Sequence, residues 1–170
     1  MKKYFIAVLF VCFIFTGLAQ AESTIPGTQE GAKQLLEQFT KSGADYVALT
    51  NSLRPAKADY EAVFEAKAAE QAYQGYTIPW NKGYIIIKPK PGQSAILLWS
   101  ATTEELKAGT SNASQFPGGY AKIKDNFKPG ITLYRFKFVE PGQTLGMAYD
   151  GLAFVNNHWV VFPKPWRVIK

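Results

Sequence analysis

Cysteine and histidine are almost missing from this chain: its 170 residues contain one of each, Cys12 and His158. A lone cysteine excludes an internal disulfide, and one of each excludes a sulfur- or histidine-rich zinc site, which draws three or four such ligands. The chain also has no Asp-rich calcium loop, no phosphate-cradling glycine loop and no Gly-x-Ser-x-Gly elbow. Charge is modest, at 19% of residues, and no basic residues cluster into the run expected of a polyanion-binding arm.

The one long uncharged run is at the start. Lys2 and Lys3 precede fifteen uncharged residues, Tyr4 to Leu18, and Ala19-Gln20-Ala21 has the small-x-small pattern of a cleavage site. The run is shorter than the roughly 20 apolar residues of a spanning helix. Residues 1–21 are therefore expected to be a secretory signal peptide, leaving a periplasmic or secreted protein with no membrane anchor after cleavage. Cys12 sits behind Phe10 and Val11, which does not suit a lipid-modified cysteine. It departs with the leader, so residues 22–170 contain no thiol. Losing Lys2 and Lys3 lowers the formal net charge from +6 to +4. A chain of this length buries about two-thirds of its unfolded surface, enough for one core without cross-links.

The remaining sequence reads as a single α+β domain. After a short polar lead-in, Thr28 can cap a helix carrying Ala32, Leu35, Leu36 and Phe39, stopped by Gly43. Tyr46, Leu49 and Leu53 mark a second helix. Tyr60, Val63, Phe64 and Ala68 mark a third, with Asp59, Glu61, Glu65 and Glu70 on a face read as solvated. The period then falls to two. Strands are expected at 84–88, 95–100, 131–139, 145–149, 152–155 and 158–162. The overall expectation is two or three N-terminal helices packed on a curved, mostly antiparallel sheet of five to six strands.

The turns are informative. Pro-Gly-Gln recurs at 91–93 and 141–143, with Pro-Gly suited to the centre of a type II turn. That shared turn chemistry explains the similarity of the two stretches better than an internal duplication does. Asn156-Asn157 suits a two-residue hairpin, which sets Val155 opposite His158, Phe154 opposite Trp159 and Ala153 opposite Val160. Both faces of that hairpin are largely apolar, which points to a central place in the sheet. In 131–139, Tyr134, Phe136 and Phe138 share the face expected to be buried, leaving Arg135 and Lys137 outward.

Aromatics are abundant, at 15%, and all four tryptophans lie from residue 80 onward, in the β-rich part of the domain. Trp99 and Trp159 suit a core. Trp80 and Trp166 sit in proline-flanked segments and read as surface residues. With Arg135 and Lys137 they form the candidate binding set, for a small molecule, a glycan or a protein partner. Residues 76–170 carry twelve basic and five acidic side chains, but export makes nucleic acid the wrong partner for that half, and no cofactor or metal is implied. A catalytic alternative rests on Asp150, with Tyr149 or Tyr134, in an apolar pocket that raises the carboxyl pKa. His158 is the other possible base, but Asp150 cannot orient it: the two are separated along the hairpin by five residues, about 17 Å.

Helices followed by a bent antiparallel sheet resemble the cone fold of nuclear transport factor two and the ketosteroid isomerases. Leu53-Arg54-Pro55, Asp59-Tyr60, Val63-Phe64 and the closing Trp159–Arg167 run are similar to those of small uncharacterised exported bacterial proteins. The resemblance spans about residues 29–167 and implies an α+β cone. No isomerase catalytic residue is matched by motif, so none is carried over.

Overall fold

A computed structural model describes residues 25–170; the expected leader, with Cys12, lies outside them. Four helices come first: α1 (Gln29–Glu37), α2 (Tyr46–Asn51), α3 (Lys57–Val63) and α4 (Ala66–Asn81). The strands are β1 (Ala95–Thr102), β2 (Thr132–Val139), β3 (Gly146–Val155) and β4 (His158–Val161). Two short helices, α5 (Thr103–Ala108) and α6 (Gly119–Ile123), lie in the β1–β2 connection. The sheet is an antiparallel meander in the order β1-β2-β3-β4. The fold is therefore α+β with one antiparallel sheet, but it has four strands rather than five or six, and four helices rather than two or three precede it.

Local signals act as their chemistry requires. Thr28 Oγ1 accepts the Gly31 N–H at 3.1 Å. Thr102 and Glu105 cap α5 reciprocally, at 3.2 and 2.8 Å. Gly92 and Gly142 both have positive φ, 83° and 77°. Each Pro-Gly turn closes through the following glutamine, Gln93 N–H to Lys90 O and Gln143 N–H to Glu140 O. Asn156 and Asn157 take φ of 49° and 62°, and the β3–β4 register has Val155 opposite His158, as expected.

Three differences arise from non-local packing. The stripe read as one helix breaks after Val63: Phe64 is extended, bridges to Phe127, and is followed by a hydrogen bond from Glu65 N–H to Asn126 O. Phe64, Phe127 and Phe162 stack there with centroids 5.2–5.3 Å apart, so an aromatic cluster outweighs helix continuation. The expected strands 145–149 and 152–155 are one strand with a bulge. Register shifts beside Arg135, which pairs with Asp150, whereas Tyr134 pairs with Leu152. The extra residue is Gly151, at φ 81°, where a Cβ would stand 2.1 Å from the Phe162 carbonyl oxygen; only glycine fits. Finally, residues 84–88, expected as a strand, belong to none.

The β3–β4 hairpin lies at the sheet edge, not its centre. It is apolar on both faces because both are covered: Trp159, Val160, Val161 and Phe162 are all buried. Its outer edge is capped by a backbone bond from Val161 N–H to Leu53 O at 2.9 Å. Tyr134, Phe136 and Phe138 are buried as the alternation requires, with Phe138 against Phe39 just beyond α1 at 6.0 Å. Among the described residues, no helix is long and apolar enough to cross a membrane.

Candidate functional site

The candidate residues do not form one surface. Trp80, placed outside by the sequence, is the last-turn aromatic of α4 and only 4% exposed. Pro79 misled that reading. Pro79 lies inside the last turn of α4, where it forfeits one bond to the preceding turn without ending the helix. Trp166 is half-buried, its ring 5.1 Å from Tyr120 and pressed against Gly119.

Arg135 and Lys137 are half-exposed and meet over Trp99, the tryptophan assigned to the core. The Arg135 guanidinium is 5.4 Å and the Lys137 ammonium 5.8 Å from the Trp99 ring centre. Both cations are committed further, Arg135 to the Gln115 carbonyl and Lys137 to that of Thr144. Register explains the cluster: Trp99 is directly opposite Arg135, and Leu97 opposite Lys137.

His158 has a carboxylate partner that the sequence did not reveal. Its Nε2 lies 2.8 Å from Oδ1 of Asp59, which is 1% exposed. The same oxygen accepts from Asn156 Nδ2 at 2.8 Å, and Oδ2 accepts the Ala56 N–H at 2.7 Å. Asp59 therefore belongs to the core, not to a solvated face. Among the described residues no hydroxyl is hydrogen-bonded to the His158 ring, so the pair clamps the hairpin to the start of α3.

Asp150 and Tyr149 are brought to a cleft of about 330 Å³. One wall is Tyr84–Ile87, and the other is Met147–Asp150 of β3. Val161 and Pro163 lie between them, with Tyr76, Lys164 and Arg167 also on the lining. Asp150 is 5% exposed. Its Oδ1 accepts from the Tyr120 hydroxyl at 3.1 Å and from the Lys164 N–H at 3.0 Å, while among the described residues Oδ2 has no hydrogen-bond partner. Burial raises the Asp150 pKa above the ordinary carboxylate value, against the lowering effect of the Lys164 N–H and the Tyr120 hydroxyl.

Three tyrosine hydroxyls around it are occupied, that of Tyr120 by Asp150 itself. Tyr149 donates to Lys88 O and accepts from Lys88 N–H, both at 2.9 Å. Tyr76 donates to Pro163 O at 2.7 Å. Burial pushes Tyr76, Tyr120 and Tyr149 upward in pKa, so none tends toward a phenolate. Tyr134 is buried in the sheet core. Lys164, Arg167 and Tyr120 carried no sequence signal as site residues. Lys164 reaches Asp150 through its backbone, in a left-handed conformation at φ 55°, and no motif announces that. Among the described residues, no cluster of three or more His, Cys, Asp or Glu is placed to hold a metal ion. No protein-family model, curated protein or solved structure matches the chain, so the geometry of the cleft is what bears on function.

Proposed function

We propose that this is an exported, non-catalytic binding domain whose site is the cleft between Tyr84–Ile87 and the first half of β3. One observation carries the reading: an apolar cleft holds a buried carboxyl with one free oxygen, while the hydroxyls of Tyr76, Tyr120 and Tyr149 are occupied by structural bonds. Such a site has a polar group to orient a ligand and apolar walls to hold it. None of those three hydroxyls is free to share proton transfer with the acid. Exposed Tyr84 and Ile86 at 72% and 36% extend the apolar surface beyond the cleft. The order of helices before antiparallel strands supports kinship with the nuclear-transport-factor-two-like cone at the level of architecture.

The anionic, apolar dye 1-anilinonaphthalene-8-sulfonate tests the site. Saturable binding is expected, and Ala148→Trp, a change at an exposed lining residue, should abolish it without loss of fold. Unchanged binding by that variant would refute the assignment. Intact mass of cell-derived protein beginning at Glu22 would support export; retention of Met1 would refute it. The raised pKa of Asp150 favours a second reading, as an acid–base group. Deuterium exchange into a cyclic ketone, abolished by Asp150→Asn, would establish it.

A further inference from the structure

The cleft has the shape of a missing strand. β4 covers only Leu152–Val155 of β3. The preceding stretch, Gly146–Asp150, pairs with β2 on one side and has no strand on the other. Side chains alternate between the faces of a strand, so a cleft on one face meets every second residue. This cleft meets four in succession on β3, Met147 to Asp150, and four in succession on the opposite wall, Tyr84 to Ile87. It therefore runs along the backbone edge of β3, with the irregular segment 84–87 facing it.

Neither side is satisfied by the other. Among the described residues, Ile85 and Ile86 make no backbone–backbone hydrogen bond, and the segment is held off rather than paired. Tyr149 reaches across to both backbone groups of Lys88, and Thr50 Oγ1 accepts the Ile87 N–H at 3.0 Å. An open edge beside a half-exposed, β-branched strip is a template for another strand. On β3 the Met147 N–H meets Gln93 Oε1 at 3.4 Å; a small apolar ligand would leave the backbone groups of Ile85 and Ile86 unpaired, whereas an extended peptide supplies donors and acceptors at the required period.

We propose that the cleft, taken as the binding site above, receives an extended peptide segment of a partner protein, added to the open edge of β3 and carrying an acidic residue. Charge selects the acidic residue. Lys164 and Arg167 line the cleft, both are exposed, and neither is in an ion pair among the described residues. The free Oδ2 of Asp150 accepts a peptide N–H. Met147 to Asp150 spans about 10 Å at roughly 3.3 Å per residue, so about four peptide residues make the contact.

The test is an amide chemical-shift titration of the whole domain. The probes are acetylated, amidated hexapeptides alternating valine with threonine, with glutamate placed at each position in turn. Saturable shifts are expected at Met147–Asp150 and Ile85–Ile87 for the best member. N-methylating alternate backbone nitrogens of that member should weaken binding about tenfold or more, as expected for two lost hydrogen bonds. Replacing its glutamate with lysine should weaken it as well. Equal binding by the N-methylated peptide, or no shift from any member at millimolar concentration, overturns the proposal. If the dye still binds and Ala148→Trp still blocks it, the cleft assignment survives that failure. If the dye also fails, both readings fall.

Discussion

Replacing Asp59 by alanine should cost this protein a large part of its stability. The carboxylate is 1% exposed and is shared by three donors, at 2.7–2.8 Å. Removing it strands the Ala56 N–H, the Asn156 amide and the His158 ring nitrogen. Each costs about 1 kcal/mol when left unpaired, so the total is about 3 kcal/mol, in line with losing one partner of a buried pair. For a chain of this size that corresponds to a fall in Tm of about 6–12 °C. His158→Ala removes one donor of three and should cost about 1–1.5 kcal/mol. The assay is urea unfolding followed by tryptophan fluorescence, with Glu61→Gln as the control on the exposed face of α3, expected within about 0.5 kcal/mol. If Asp59→Ala costs no more than Glu61→Gln, Asp59 is a solvated helix residue after all and the clamp does not exist.

Two further outcomes follow from the bulge beside the cleft. Gly151→Ala should destabilise by about 2–4 kcal/mol, because a Cβ meets the Phe162 carbonyl at 2.1 Å in a left-handed backbone; urea unfolding at wild-type levels would refute the need for glycine. Asp150 has a raised folded pKa, so the folded state binds its proton more tightly than the unfolded chain does. Its stabilising contribution is complete below the ordinary carboxylate value and is lost as pH rises through the raised one. Asp150→Asn should therefore flatten the decline in stability above that ordinary value; an unchanged slope in a pH series of unfolding midpoints would refute it.

The legible features were those settled within a few residues. Thr28 caps its own helix. Pro-Gly and Asn-Asn set their turns through φ alone, and the hairpin register follows from the turn. The Phe136–Phe138 alternation likewise placed the aromatic face inward. The candidate site was legible only in part, because Asp150 and Tyr149 were named without their surroundings. Asp59 looked like any helix-face acid, since what buries it is a histidine 99 positions away. Trp80 looked exposed because a proline beside it has one meaning in a loop and another at the end of a helix.

By itself the sequence determined an α+β chain, its caps and turns, and the inward face of β2, because those depend on backbone sterics and side-chain period. Only the tertiary structure decided that the helix breaks at Phe64, that β3 is one bulged strand, and that residues 84–88 stop short of joining the sheet. Each of those outcomes is a competition between local preference and contacts distant in sequence. The cleft exists because the distant contacts won: the hydroxyl of Tyr149 holds the backbone of Lys88, and no ladder forms beside it.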